Sequence, residues 1–165
     1  MALCPSCSSE IPGGSQWCGI CHTNVLNPAI GALASPGKRL GAYVLDLIDP
    51  ILALMFMFGI GGLGTAAGGE GAGLTLGFAF LIAYIVWAIW LFAHGTTPGK
   101  NLLKMYVVKE DRQRAGFGTM LFREWIGKWV SGLISGLGYL WILIDKDRQA
   151  WHDKLASTYV VERRA

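Results

Sequence analysis

The chain reads as a mostly α-helical protein integral to a membrane, with a small cysteine-rich head. Three observations predict this. Of 165 residues, 53% are hydrophobic and only 15% charged, giving a mean hydropathy of +0.43, too apolar for an ordinary soluble domain of this size. Leu74 to Ala93 runs for 20 residues without a charge, the length a helix needs to cross about 30 Å of hydrocarbon. Four cysteines form two Cys-x-x-Cys pairs near the start. The architecture expected is two full transmembrane helices plus a third helical segment, interfacial, re-entrant or spanning. A small cytoplasmic β pair (105–110 with 157–162) completes it.

The head comes first. Cys4-Pro-Ser-Cys7 and Cys18-Gly-Ile-Cys21 are two knuckles of the kind that lets four thiolates surround a tetrahedral ion. Zinc is the natural occupant, and rubredoxin-like iron uses the same ligands. A cytoplasmic location disfavours disulfides. So short a segment buries little core, so metal binding supplies most of its folding free energy. All four positions are filled by protein, which marks a structural site without an open place for substrate. His22 abuts Cys21 and reads as a bystander. The domain order expected is therefore a zinc ribbon over residues 1–26, a linker over 27–37 rich in Pro, Gly, Ala and Ser, and a membrane domain over 38–165. Residues 1–35 lack the basic-then-apolar pattern of a secretory leader.

The first apolar stretch, from about Ala42 to about Ala66, carries Asp46 and Asp49, the second directly before Pro50. Arg39, Asp46 and Asp49 stand at i, i+7 and i+10, one face of a helix. A charge at the centre of a span costs roughly 2.5 to 3.5 kcal/mol on insertion scales, so such groups face a protein interior, a partner or water. These two lie in the first turns, nearer the interface. Pro50 cannot donate to the Asp46 carbonyl, which predicts a kink and a free acceptor there. That acceptor and the two carboxyl groups suit a cation or proton; equally, Arg39, Arg123 or a water can satisfy the buried charge.

Basic residues mark the cytoplasmic side. Lys38 and Arg39 precede the first span, Lys100, Lys104, Lys109, Arg112 and Arg114 follow the second, and only Glu70 charges the turn between. The N-terminus and the segment after the second span are thus expected to be cytoplasmic, with the Gly-rich turn outside. From Phe117 to Leu137 the pattern is amphipathic: Phe122, Ile126, Trp129, Val130, Leu133 and Leu137 share one side, and Arg123, Glu124, Lys128, Ser131 and Ser135 the other. This suits a helix lying at the interface. After the break at Gly136 and Gly138, Tyr139 to Ile144 is too short to span. Full crossing of Met120 to Ile144 would put the basic tail outside, against the charge bias. The β-prone Met105 to Glu110 and Ser157 to Glu162 resemble each other and suit an antiparallel pair, which needs both on one side of the membrane.

With these residues in view, the chain resembles the RDD family of small membrane proteins, named for an arginine and two aspartates arranged as Arg39, Asp46 and Asp49. The resemblance covers about residues 36–162. It includes Thr97-Pro98-Gly99-Lys100, Tyr106-Val107-Val108, Arg123, Trp151-His152-Asp153 and Ser157-Thr158-Tyr159-Val160-Val161. Trp151 stands where the family more often has Leu. Zinc-ribbon heads occur on members of this family. The resemblance implies a multi-span membrane protein for which transport has been suggested, with monovalent cation/proton antiport reported for some members.

Other motifs stay bland. Gly95-Thr-Thr-Pro-Gly99-Lys100 lacks the spacing of a phosphate loop, and Asn101 replaces its Ser or Thr. His152-Asp153 reads as a turn-ordering pair, the tryptophans as interfacial anchors, and the basic residues as neighbours of anionic headgroups rather than of nucleic acid. Two functional classes remain. One is a non-catalytic accessory or scaffolding subunit, its ribbon docking a partner and its Gly-rich spans packing on other membrane helices or a second copy. The other is small-solute or monovalent cation/proton transport by an oligomer using Asp46 and Asp49.

Overall fold

The computed structural model describes residues 2–66, 71–133 and 137–163. Strands β1 (Ala2–Leu3) and β2 (Glu10–Ile11) pair antiparallel at the base of the head. A 3-10 turn over Pro28–Ile30, capped by the Asn27 side chain, leads into β3 (Ala32–Leu33). Two long helices follow, α1 (Pro36–Ala66) and α2 (Ala72–Ala93), then the short α3 (Pro98–Leu102) and β4 (Met105–Lys109). The third segment is built from α4 (Phe117–Leu121), a π-helical turn over Phe122–Gly127 and α5 (Lys128–Leu133). The chain closes with α6 (Leu137–Leu140), a 3-10 turn over Trp141–Leu143, α7 (Trp151–Leu155) and β5 (Thr158–Glu162).

Helices α1 and α2 are long and apolar enough to cross a membrane. They pack as a hairpin, with Phe56 edge-on to Phe80 at 4.7 Å between ring centroids. Their outward faces present Leu47, Ile51, Met55 and Phe58 on α1 and Leu76, Ile82 and Val86 on α2, all more than half exposed. So broad an apolar surface requires an apolar cover. At 31 residues, α1 is about 46 Å long, exceeding a 30 Å hydrocarbon core by about three turns. The helix continues through Pro50 to Ala66.

The predicted β pair forms, antiparallel, with Met105 opposite Glu162 and Lys109 opposite Thr158. β5 is central, and β3 adds on its other edge through Ala32 opposite Glu162 and Leu33 opposite Val161. The stretch 27–37, expected to be a linker, is thus part of the folded body: Ile30, Ala32, Leu33 and Ala34 are buried. Gly31 makes this possible. Its φ is +106°, and a Cβ there would sit 2.1 Å from the Glu162 carbonyl oxygen, so glycine alone fits.

Side chains alternate across the sheet with a period of two. Met105, Val107 and Val160 join Ala34, Ala42 and Met120 toward the helices, whereas Val108, Tyr159 and Val161 join Trp17, Ile30 and Leu33 toward the head. The sheet is a slab buried on both faces, which accounts for its unbroken apolar run. Because β3, β4 and β5 share it, the segment between β4 and β5 must return to the side from which it leaves. Residues 67–70 of the Gly-rich turn, Glu70 among them, and the expected break at Gly136 lie outside the described residues.

The amphipathic third segment is turned so that its polar side faces inward. Arg123 is buried, while Phe122, Trp125, Ile126 and Trp129 are exposed. In water this orientation is unfavourable. At a membrane boundary it is the expected one.

Candidate functional site

Where α1, α3, the π-helical turn and α7 meet, their charged side chains form one continuous cluster. Asp153, the third residue of α7 and fully buried, accepts from the Ala150 amide at 3.2 Å, tying down the start of its own helix. Its oxygens are also held by two guanidinium groups, Arg39 at 2.5 Å and Arg123 through Nε and a second nitrogen, each at 2.7 Å. Arg123 reaches on to Glu124 at 2.5 Å, and Glu124 meets Lys100 at 3.1 Å and Lys128 on the next turn. Lys100 closes the chain toward Asp46 at 3.6 Å. Desolvation is severe for buried ions, and only full pairing offsets it.

Asp46 has a second task. Its two oxygens accept from the Thr97 hydroxyl at 2.6 Å and the Gly99 amide at 2.7 Å. Thr97 caps α3 in turn, and Pro98 occupies the first helical position, where a missing N–H costs nothing. Gly99 is required by distance: a Cβ would meet the Ala42 carbonyl oxygen at 2.4 Å and Asp46 at 2.9 Å. The Thr-Pro-Gly-Lys motif is thus a docking device that lays α3 against α1 and supplies Lys100 to the cluster. Asp49 stands apart and accepts from the Tyr84 hydroxyl of α2.

These surroundings set the charge states outside the spans. Burial alone drives the Asp153 carboxyl up, but Arg123 and Arg39 outweigh it and hold it well below the usual carboxylate range. Glu124 likewise would rise on burial, yet Lys100, Arg123 and Lys128 hold it low. Burial pulls Lys100 down against the opposing pull of Glu124. His152 is lowered to about 4, chiefly by burial, and is neutral at pH 7. It stacks near Tyr139 at 5.4 Å between ring centroids. Beside the cluster lies a cavity of about 480 Å³.

The head gathers Cys4, Cys7, Cys18 and Cys21, with all ligand atoms within 4.8 Å of one another. The Cys4–Cys21 and Cys7–Cys18 sulfurs are 3.5 and 3.6 Å apart. These spacings are too long for disulfides at about 2.05 Å and close to the roughly 3.8 Å edge of a tetrahedron with 2.3 Å metal–sulfur bonds. The set could hold a metal ion. Hydrogen bonds from Ser9 and the Cys21 amide hold the Cys18 thiol well below the ordinary thiol range. His22 points elsewhere, its Nε2 lying 2.7 Å from an Arg148 nitrogen.

Of the residues singled out from sequence, Arg39, Asp46, Arg123, Lys100 and Asp153 meet in one cluster with Thr97 and Gly99 as its mount; Asp49 does not join it. Glu124 and Lys128 had been placed on the polar side of the third segment without partners, although their i,i+4 spacing announces a pair. Tyr84 belongs to no motif in the sequence. A lone phenol in an apolar span needs a partner for its hydroxyl, which was the available signal.

A two-helix hairpin bearing a juxtamembrane sheet, tied together by an arginine–aspartate cluster, defines a small helical protein of membrane type. The RDD family model matches residues 33–157, and the chain belongs to that family, generally one of membrane proteins. A relative, the proline-rich antigen of Mycobacterium leprae (strain TN), is 34% identical over 90 residues, 52% of this chain and 36% of the antigen. The chain thus spans about a third of that relative's length. No solved structure matches.

Proposed function

We propose that the protein is a non-catalytic accessory or scaffolding subunit of a membrane complex. It would be a multi-pass protein of the cell membrane, its zinc-bearing ribbon cytoplasmic and serving as a docking head. One observation carries this reading: the charges of the family signature are each committed to partners within the protein. Arg39 and Arg123 are held by Asp153, Asp46 by Thr97, Gly99 and Lys100, and Asp49 by Tyr84. Groups so engaged fasten the sheet and third segment to the hairpin. An ion-binding carboxylate must exchange its partners easily, and a buried one with three protein contacts does so at a large cost. Two spans also enclose no pathway within one chain. The basic residues flanking the hairpin support the cytoplasmic placement of the head, and the four sulfurs support zinc as its ion.

A second reading, cation/proton or small-solute transport by an oligomer, is favoured by Asp49. It is a carboxyl group inside the first span with one phenol as its partner. The two readings separate in reconstituted vesicles. On adding Na⁺, K⁺ or Li⁺, the purified protein is expected to dissipate no pH gradient, and Asp46→Asn/Asp49→Asn to behave alike. Gradient collapse by the wild type, abolished in the double variant, would establish transport instead.

A further inference from the structure

We propose that the 480 Å³ cavity holds one acyl chain of a bilayer phospholipid. Its walls are Leu40 and Tyr43 of α1 and, from the segment after α5, Tyr139, Leu140, Ile142 and Leu143. Met105 and Val160, both buried, close it from the sheet. The surface lining it is almost wholly carbon. Arg39, Lys100, Arg123 and Lys128 also border it, but their charged ends are paired with Asp153, Asp46 and Glu124. What these four add to the wall is chiefly methylene stem.

The chemistry of the wall selects the occupant. A void lined by carbon gives water few partners, and cavities of that kind stay dry and take up apolar molecules. A peptide would bring backbone N–H and C=O groups, and a wall whose charged groups are already paired would leave them unsatisfied. An unbranched hydrocarbon brings no such groups. The volume suits one chain: at about 30 Å³ for a group of water size, which a methylene approximates, 480 Å³ holds about 16 of them.

The mouth joins the cavity to the surface that α1 turns toward lipid. Leu40, Leu140 and Leu143 line it and are each more than half exposed. Leu40, Leu47 and Ile51 stand at i, i+7 and i+11, one face of α1, and the latter two are also more than half exposed. The apolar stripe of the span thus runs into the cavity at Leu40. A phospholipid lying along that stripe inserts one chain, leaving its second chain in the bilayer and its headgroup outside. Since no free donor reads the headgroup, phosphatidylcholine and phosphatidylglycerol should bind alike. The proposal rests only on the contact of the hairpin with a bilayer, not on the accessory reading.

The test uses the whole protein, delipidated in a steroidal detergent that has no alkyl chain. The probe is a phosphatidylcholine with a photoreactive diazirine midway along one palmitoyl chain. Light should attach it chiefly at Leu40, Tyr43, Leu140 and Leu143. Excess dipalmitoyl-phosphatidylcholine or dipalmitoyl-phosphatidylglycerol should reduce that labelling about tenfold, and dihexanoyl-phosphatidylcholine, whose chains are too short to fill the cavity, hardly at all. Leu143→Trp, at an exposed site, should cut the labelling about fivefold by filling the mouth, with the thermal midpoint unchanged. Leu102→Trp, comparably exposed on α3 and outside the cavity, should label as wild type. Label spread evenly over the exposed faces of α1 and α2 would overturn the proposal. So would equal competition by the dihexanoyl and dipalmitoyl lipids, or unaltered labelling in Leu143→Trp. Cross-links joining Leu143 of two copies would assign the cavity to a second copy and overturn it too. A positive exchange assay would refute the accessory reading and leave this result standing.

Discussion

Burial of His152, with the Arg123 guanidinium nearby, gives the fold a pH window. Its folded pKa of about 4 lies below the 6.5 of an exposed histidine, so on acidification the unfolded chain takes up its proton first. The stabilisation is fully present above about pH 6.5 and is lost as pH falls through 4, amounting to about 2 kcal/mol by pH 5. Asp153 and Glu124 have depressed values and lose their contributions only below about pH 4, outside this interval. Thermal unfolding in detergent should therefore show a lower midpoint at about pH 5 than at about pH 7.5, and His152→Gln should shrink that difference. Equal pH sensitivity in the two proteins would refute it. At this scale the sequence shows only half of the site. The helical spacing of Arg39, Asp46 and Asp49 puts them on one face, yet the anion that Arg39 meets, Asp153, lies 114 residues away. Spacing along one helix contains no information about which distant turn folds back onto it.

Among the elements, the spans and the β pair were legible because each has a strong local signature, an uncharged apolar run and two matching β-prone runs. β3 was not. It is two residues long in a segment rich in Gly, Pro, Ala and Ser, and only pairing with β5 makes it a strand, a case of tertiary context overriding local preference. The third segment was legible as amphipathic, but which side faces the protein depends on the surroundings of the apolar side. The mounting of α3 offers a direct test. In Gly99→Ala the new Cβ meets backbone of α1 at 2.4 Å, so α3 must shift and loosen the Asp46 contacts. We expect a stability loss of about 1 to 3 kcal/mol. Gly118→Ala in α4, where a Cβ meets nothing within 4 Å, should be neutral or stabilising by up to about 1 kcal/mol, since alanine suits a helix better than glycine. Indistinguishable melting of the two variants would mean that the close approach of α3 to α1 contributes nothing.

For the whole molecule, the sheet couples the head to the membrane part. One face is covered by Trp17, Ile30 and Leu33 from the head side; the other supports Ala42 of α1 and Met120 of α4. Trp17 and Tyr159 lie 5.3 Å apart between ring centroids, and the His22 carbonyl accepts from the Leu33 amide at 2.9 Å. The head is thus a lid on the sheet rather than a separate bead on a linker. It has little core of its own, Cys4, Ile11 and Cys18 with Cys21 and Val25 beside them, so a bound ion would supply most of its order. Removing that ion should act in two stages. A strong zinc chelator, or Cys7→Ser/Cys18→Ser, should first open residues 2–26 to limited proteolysis while far-UV circular dichroism stays nearly unchanged, because α1 and α2 hold most of the helix. Loss of Trp17 from its place over Tyr159 and Val161 should then lower the thermal midpoint of the remaining body by several degrees, as uncovering part of a buried apolar face requires. A head that becomes protease-sensitive without any fall in that midpoint would show that the two parts fold independently, and the sheet would then owe its stability to the membrane-side face alone.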